Sequence, residues 1–248
     1  MEKYQEQLSV KSYQTNQYGK ASITSLFHIL MEAAWAHAQV MDWGYDSLKS
    51  NNLFWVLSRI YFQVEYYPEW QDKITLSTWS AGTDGIYAYR EYIVENESGE
   101  VILRASTAWL ILDMETRKIF RLSDYKTTFP SRTEANACRS PKRIKPDSHT
   151  DKLNFYPVLF SELDINKHFN SVKSVERVLD DFGIDFLNSH EPAKLEVNYL
   201  KEGQANDMIA VTRSQISENE YLNCLVRESD GADLCVMRIV WRERDQKS

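Results

Sequence analysis

The sequence has 248 residues, 43% of them hydrophobic and 26% charged, and a formal net charge of −7. This composition is typical of a globular protein with one large domain or two small ones. The acidic balance argues against a general nucleic-acid-binding protein, and no apolar run approaches the roughly 18 residues needed to span a membrane.

The N-terminal residues are polar, which is not the pattern of a secretory signal. The three cysteines, Cys138, Cys224 and Cys235, form an odd count without the spacing of a metal site. We therefore expect free thiols in a reducing compartment, a cytoplasmic location, and neither a metal nor a cofactor.

The first half of the chain begins with a strand-like stretch at 8–15. A long helix follows, in which apolar residues recur at helical spacing from Ile23 to Ala38, and Ser22 is a suitable N-cap. The β-type runs after this helix lie at 54–66, 73–80, 86–95 and 101–113. A polar turn with Gly99 separates the last two runs, which predicts a hairpin.

A basic segment separates the two halves. Residues 116–146 hold nine basic and two acidic residues in an otherwise acidic chain. Residues 124–150 are also low in large apolar residues and contain Ser, Thr and Pro, so we interpret them as a linker. Such a segment is either a solvated connection without a specific partner or a surface that attracts an acidic one.

The second half repeats the order of the first. A short strand at 156–160 precedes a helix at 170–182, which ends at Gly183. Strand-like runs follow at 194–202, 208–217, 220–228 and 233–241. Trp109 and Trp241 occupy equivalent places in the last strand of each half. The sequence is thus a diverged tandem repeat.

The repeat predicts an α+β fold made of two fused units, at 1–123 and 151–248, joined by the linker. Each unit combines one long helix with antiparallel strands. Because such a sheet must cover its apolar face, we expect each sheet to wrap around its own central helix.

A polar run precedes the second helix. Asp164, Asn166, His168 and Asn170 occupy every second position, and the start of the first helix lacks this pattern. The positive end of a helix can stabilise an oxyanion, so the run is a candidate active site. The alternative is structural: Asp164 and Asn170 cap the helix and His168 is a hydrogen-bonded, partly buried imidazole.

The chain resembles the acyl-ACP thioesterases of plant plastids and bacteria, which consist of two fused hot-dog units. The matching stretches lie at 12–13, 21–37, 52–59, 67–72, 78–79, 104–109, 161–170, 199–202 and 241–242. The resemblance implies that Asp164, Asn166 and His168 are catalytic, with Glu202 as a fourth, downstream member. Glu202 would activate water, His168 would orient it or shuttle protons, Asn166 would position His168 or the thioester, and Asp164 would hold the network.

Two motifs depart from the family pattern. Many plant members have a cysteine directly after the glutamate, where this chain has Gly203. The motif that usually reads His-Val-Asn-Asn continues here as His168, Phe169, Asn170 and Ser171. We therefore expect an activated water rather than a cysteine nucleophile.

The resemblance also implies that the first unit houses the acyl chain. Candidate substrate-binding residues are Met31, Trp35 and Trp55, together with Asn170 in the second unit; ordinary core packing is the alternative for each apolar residue. Because acyl carrier protein is strongly acidic, the basic segment gains a candidate role in docking. The expected docking residues are Arg139, Lys142, Arg143 and Lys145.

The expected function is hydrolysis of fatty acyl-ACP, which releases the free fatty acid and acyl carrier protein (ACP) and ends fatty acid synthesis. Three alternatives remain open: an acyl-CoA thioesterase of the same fold, a hydratase or dehydratase acting on a β-hydroxyacyl thioester, and a non-catalytic acyl-thioester-binding module. The Asn-x-His pairing argues against the hydratase. The oligomeric state is open, with a homodimer as one arrangement.

Overall fold

The computed structural model describes residues 3–125, 129–130, 135–147 and 154–244. The chain divides into two units, at residues 1–141 and 142–248. This division falls inside the segment 124–150, part of which (126–128, 131–134 and 148–150) lies outside the described residues. None of the helices in the described ranges combines the length and apolarity needed to span a bilayer.

The first unit contains two helices and an antiparallel sheet. The helices are α1 (Ile23–Val40) and α2 (Tyr45–Lys49). The strands are β1 (Tyr4–Ser9), β2 (Leu53–Val64), β3 (Lys73–Thr83), β4 (Ala88–Asn96), β5 (Val101–Asp113) and β6 (Ile119–Phe120). The strand order is β1-β3-β4-β5-β2, and β6 pairs with β5.

Helix α1 packs its apolar face on this sheet. Phe27 of α1 and Phe62 of β2 are both fully buried, with ring centroids 5.1 Å apart. Burying one phenylalanine contributes roughly 1.5–3 kcal/mol. The helix begins after Ser22, whose Oγ accepts the backbone N–H of Ser25 at 3.0 Å. The apolar spacing and the cap together fix the helix where the sequence predicts it.

The second unit has the same architecture. Its helices are α3 (Ser171–Asp180) and α4 (Ile184–Ser189). Its strands are β7 (Tyr156–Pro157), β8 (His190–Tyr199), β9 (Met208–Ser217), β10 (Glu220–Arg227) and β11 (Asp233–Glu243). The order β7-β9-β10-β11-β8 repeats that of the first unit strand for strand. The predicted pair of hot-dog units is confirmed.

Helix α3 is shorter than α1 but is held in a similar way. Val172, Val175 and Val178 are buried on one face. At the start of the helix, the Tyr199 hydroxyl of β8 donates to the Ser171 carbonyl at 2.9 Å. Gly183, at φ 81°, provides the left-handed residue between α3 and α4. These contacts fix the start of α3 against the end of β8.

Several element boundaries differ from the sequence prediction. The stretches 8–15 and 156–160 each end in a short 3₁₀ turn, Ser12–Gln14 and Phe160–Glu162, rather than continuing as strands. In each turn the last side chain accepts a backbone N–H three residues earlier, from Lys11 at 2.8 Å and from Leu159 at 2.7 Å. These local hydrogen bonds replace the ladder of a strand.

Candidate active site

The polar run forms a tight turn shaped by Asp164. Its Oδ1 accepts the backbone N–H of Asn166 at 2.8 Å and of His168 at 3.0 Å. The Asp164 N–H in turn donates to the His168 carbonyl at 2.8 Å. Lys167 adopts the left-handed conformation, with φ 65°. The Asp164 carboxylate therefore organises the backbone on which His168 stands.

His168 and Glu202 lie side by side. Nε2 of His168 is 3.5 Å from Oε2 of Glu202, and the side chains are 16% and 33% exposed. Phe169 N–H donates to the Gly203 carbonyl at 2.8 Å, and His168 forms a bridge with Gln204. Backbone pairing of the two segments thus brings an imidazole and a carboxylate together at the protein surface.

Glu202 is not the last residue of a strand, as the sequence analysis expected. Strand β8 ends at Tyr199, and Glu202 lies in the turn that follows. Arg227 holds this turn: it donates to the Glu202 carbonyl at 3.3 Å and to Asp207 Oδ2 at 3.2 Å. Two further hydrogen bonds, at 3.0 and 2.9 Å, join Arg227 to Asp230. The sequence analysis did not identify Arg227 as the residue that holds this turn.

The ion pair of Arg227 with Asp230 is reflected in the titration of both groups. Hydrogen bonding to Asp230 raises the pKa of Arg227, and the guanidinium holds the pKa of the Asp230 carboxyl below its usual range. Both groups are therefore charged at neutral pH. Asp207, which Arg227 also contacts, is the counterpart of Asp72 in the first unit: Asp72 accepts the backbone N–H of Glu69 at 2.8 Å, and Asp207 accepts that of Gln204 at 2.9 Å.

Asn170 is the N-cap of α3. Its Oδ1 accepts the backbone N–H of Val172 at 2.8 Å and of Lys173 at 3.3 Å. Two donors of the helix start are therefore occupied by Asn170. Asn166 is exposed on the same turn as His168. The exposed Asn166 amide carries two N–H donors, and its role as an oxyanion donor and the substrate-binding role of Asn170 both stay predictions.

Phe169 fills the space next to Gly203. A Cβ atom added at Gly203 would meet Phe169 Cβ at 3.0 Å and Leu234 Cδ1 at 3.2 Å. The Arg177 guanidinium lies over the Phe169 ring, 5.4 Å from the ring centroid. Phe169 and Gly203, which both differ from the family pattern, are therefore in contact, and the closest approach at position 203 is to a Cβ that valine would also carry.

None of the three cysteines belongs to this turn. Burial raises the pKa of Cys138 to about 12 and that of Cys224 to about 11. It also holds the pKa of Cys235 well above its ordinary value. A thiol needs to ionise to act as a nucleophile, so these groups are unsuited to attack on an acyl group at neutral pH.

The first unit contains the same turn without the same chemistry. Asn16 Oδ1 accepts the backbone N–H of Tyr18 at 2.9 Å and of Lys20 at 3.3 Å, as Asp164 does for Asn166 and His168. Lys20 also bridges to Glu69, as His168 does to Gln204. The backbone frame is duplicated, but Lys20 stands where the second unit has His168.

The first unit also holds an open, mostly apolar pocket. Its empty space, including the mouth, is about 450 Å³. The wall includes Trp35, Met41, Trp43, Trp55, Trp109 and Phe129. Tyr89 and Arg90 are its polar members. Trp35 and Trp55 were expected here; Met31 is half-buried on α1 and is not among the lining residues.

The candidate docking residues all have exposed side chains. In the first unit, the Arg139 guanidinium lies 3.9 Å from the ring centroid of Tyr61. In the second unit, the backbone around Ile144 is held to β8. Lys142 N–H donates to Glu196 and Ile144 N–H to Asn198, at 2.7 and 2.8 Å. The side chains of Lys142, Arg143 and Lys145 project into solvent.

Comparison with known proteins gives consistent matches along the chain. The family model described as the acyl-ACP thioesterase N-terminal domain matches residues 1–127, and the C-terminal domain model of the same family matches residues 145–243. A chloroplastic palmitoyl-acyl carrier protein thioesterase of Gossypium hirsutum is 28% identical over 99% of this chain. A chloroplastic oleoyl-acyl carrier protein thioesterase of Arabidopsis thaliana is 25% identical over 90% of it. The matches cover 65% of the length of each of these two relatives.

Solved structures support the fold. An acyl-ACP thioesterase from Bacteroides thetaiotaomicron superposes with a TM-score of 0.83 at 24% identity, covering 97% of this chain and 98% of that one. A 12:0-ACP thioesterase from Umbellularia californica also gives 0.83, at 19% identity, covering 98% of each chain. At these identities the likeness bears on the fold alone.

Proposed function

This chain belongs to the acyl-ACP thioesterase family, and on that premise we propose that it hydrolyses fatty acyl-ACP to the free fatty acid and acyl carrier protein. The observation that carries the proposal is the His168–Glu202 pair, with Nε2 and Oε2 3.5 Å apart on a turn organised by Asp164. This pair combines the two groups that general acid–base catalysis most often uses.

The chemistry needs an activated water and a stabilised oxyanion. The Glu202 carboxylate accepts a proton from water, whose oxygen bonds to the thioester carbonyl carbon. The Asn166 amide donates to the resulting oxyanion. When the tetrahedral intermediate collapses, the carbon–sulfur bond breaks, and the thiolate takes up the proton through His168. The acid, the free thiol and the regenerated carboxylate account for all atoms.

A thiol-release assay on acyl-ACP tests this proposal. We expect Glu202→Gln and His168→Ala to lower kcat by about 10²–10⁴-fold, the usual contribution of a positioned acid or base. Glu228→Gln is the matched control, since Glu228 is an exposed carboxylate of the same unit. Near wild-type turnover in a folded Glu202→Gln or His168→Ala variant would refute the assigned roles.

An acyl-CoA thioesterase is the second candidate, because the acid–imidazole pair suits either thioester. The exposed basic residues at 139–145 favour acyl carrier protein, an acidic protein, over coenzyme A as the carrier of the acyl group. Comparing kcat/KM on acyl-ACP and acyl-CoA of equal chain length separates the two. Tight acyl-ACP binding without thiol release would instead indicate a binding module.

The assignment of the acyl chain to the pocket of the first unit is part of the same proposal. The pocket's aromatic wall and open mouth support it. A cytoplasmic location and a homodimer remain predictions, and the two curated relatives described above are chloroplastic by name.

A further inference from the structure

A buried arginine lines the apolar pocket of the first unit. Arg90 lies on β4, two residues from Ala88, so the two side chains share the face of the strand that contributes to the pocket. Arg90 is only 7% exposed. A guanidinium is rarely so deeply buried unless a carboxylate pairs with it, and its surroundings therefore need an explanation.

The partners of Arg90 are neutral. Nη1 lies 2.8 Å from Nδ1 of His37 on α1 and donates to Thr78 Oγ1 at 3.2 Å. Because Nη1 can only donate, Nδ1 of His37 is the acceptor and the imidazole is neutral. The neighbouring Glu91 bonds instead to Ser106 and to the backbone of Ala137. Within the described ranges, no carboxylate forms an ion pair with Arg90.

The guanidinium has hydrogen-bonding capacity left over. Its hydrogen bonds to the described residues all use Nη1. The other two nitrogens, Nε and Nη2, carry three N–H groups in total and have no acceptor among the described residues. The rest of the wall is mainly tryptophan, alanine, methionine and phenylalanine. An alkyl group placed against these donors leaves them unsatisfied, whereas an oxygen atom accepts from them.

We propose that this pocket selects acyl chains that carry a hydrogen-bond-accepting oxygen within reach of Arg90, over unsubstituted alkyl chains of the same length. The oxygen belongs to a hydroxyl, carbonyl or carboxylate group on the acyl chain, away from the thioester. This inference deepens the proposed function and rests on it for the identity of the thioester substrate.

The first test compares ACP thioesters of one chain length that carry either a methyl end or a terminal hydroxyl, ketone or carboxyl group. For the wild-type protein, we expect kcat/KM on at least one oxygenated chain to exceed that on the alkyl chain by about tenfold or more. Measuring this ratio of kcat/KM values requires only the wild-type protein. A ratio of one or less for every oxygenated chain, across a series of lengths, would overturn the proposal.

Variants then assign the preference to Arg90. Arg90→Met should reduce the ratio about tenfold, and Arg90→Lys, which keeps a cationic donor, should retain part of it. Arg59→Met is the matched control, because Arg59 is a sheet arginine that donates to the Tyr87 hydroxyl and is not among the pocket residues. An unchanged ratio in folded Arg90→Met would contradict the assignment.

A binding measurement separates this inference from the proposed function. The same chains are attached to acyl carrier protein through an amide, which is not hydrolysed, and affinity is followed by the fluorescence of the pocket tryptophans. Preferential binding of the oxygenated chain without hydrolysis of any thioester would sustain the inference and refute the proposed function. Hydrolysis of thioesters without any preference for the oxygenated chain, in binding or in rate, would support the proposed function and refute the inference.

Discussion

At the scale of single residues, Asp164 has a structural role, but it shapes its own turn and leaves the capping of α3 to Asn170. Its carboxylate accepts two backbone N–H groups of its own turn. Asn16 makes the equivalent pair of hydrogen bonds in the first unit. An amide oxygen is therefore sufficient to form this turn.

Replacing Asp164 tests whether it acts on the backbone or on the reaction. We expect Asp164→Asn to keep kcat/KM within about tenfold of wild type, and Asp164→Ala to lower it by about 10²-fold through displacement of His168. Thiol-release kinetics on acyl-ACP give both values. If the Asn variant loses as much activity as the Ala variant, the negative charge itself is required.

Glu91 makes the stability of the fold depend on pH. Burial raises the pKa of this carboxyl to about 7 from 4.5. The folded protein therefore retains a proton that the unfolded chain releases between these values. The contribution of Glu91 to the free energy of unfolding is therefore greatest below pH 4.5, and this contribution is lost as pH rises towards 7.

Removing this carboxyl should flatten the pH dependence. Between pH 4.5 and 7.5 the wild-type free energy of unfolding should fall by about 3 kcal/mol relative to that of Glu91→Gln. Urea denaturation at both pH values measures the difference. Glu95→Gln, on the same strand, is the control and should follow the wild-type protein. Parallel curves for Glu91→Gln and wild type would show that Glu91 ionises normally.

At the scale of elements, the turn after β8 packs directly against the start of α3. Gly203 lies against Phe169, and a Cβ at position 203 would approach Phe169 Cβ to 3.0 Å. Backbone hydrogen bonding from Phe169 N–H to the Gly203 carbonyl leaves little freedom to separate them. A side chain at position 203 would therefore require its neighbours to shift by a few tenths of an ångström.

The packing predicts that positions 203 and 234 depend on each other, because Leu234 Cδ1 lies 3.2 Å from a Cβ added at Gly203. Gly203→Cys should destabilise the protein by about 1–3 kcal/mol, as overpacking does. Adding Leu234→Val, which removes this Cδ1 atom, should recover part of that loss, with a coupling energy of at least about 0.5 kcal/mol. Denaturant unfolding of both single variants and the double variant measures the coupling. Additive effects would show that the two positions do not share the space.

At the scale of the whole molecule, periodicity and turn residues were sufficient to predict the repeat. Apolar spacing located α1, and the turn with Gly99 located the junction β4–β5. Helices α2 and α4 have only five and six residues, too few to produce a helical period. They could not be recognised by pattern.

The candidate site was predictable only in part. Asp164, Asn166 and His168 are neighbours in sequence, so their proximity follows from one turn. Glu202 is 34 positions beyond His168, and its inclusion depended on the family resemblance. Arg227 was missed because its effect on Glu202 passes through the backbone and through charges on two other turns.

The basic segment gives a prediction for the molecule as a whole. Reversing the charges of Arg139, Lys142, Arg143 and Lys145 should raise KM for acyl-ACP by about tenfold and weaken its salt dependence, with little change for acyl-CoA. Kinetics at two ionic strengths test this expectation. Reversal of the exposed Lys11, Lys49, Lys73 and Lys194 is the control with the same change in net charge. Equal effects of the two sets would leave only net charge as the cause.

The duplicated turn bears on how such a protein can change over time. In both copies the geometry is fixed by one Asn or Asp side chain and by the main chain. The identity of the projecting side chain is therefore separable from the backbone frame, since Lys20 projects from the turn in the first unit and His168 in the second. On the proposed function, a substitution in the pocket of the first unit would alter substrate preference while the His168–Glu202 pair of the second unit stays unchanged.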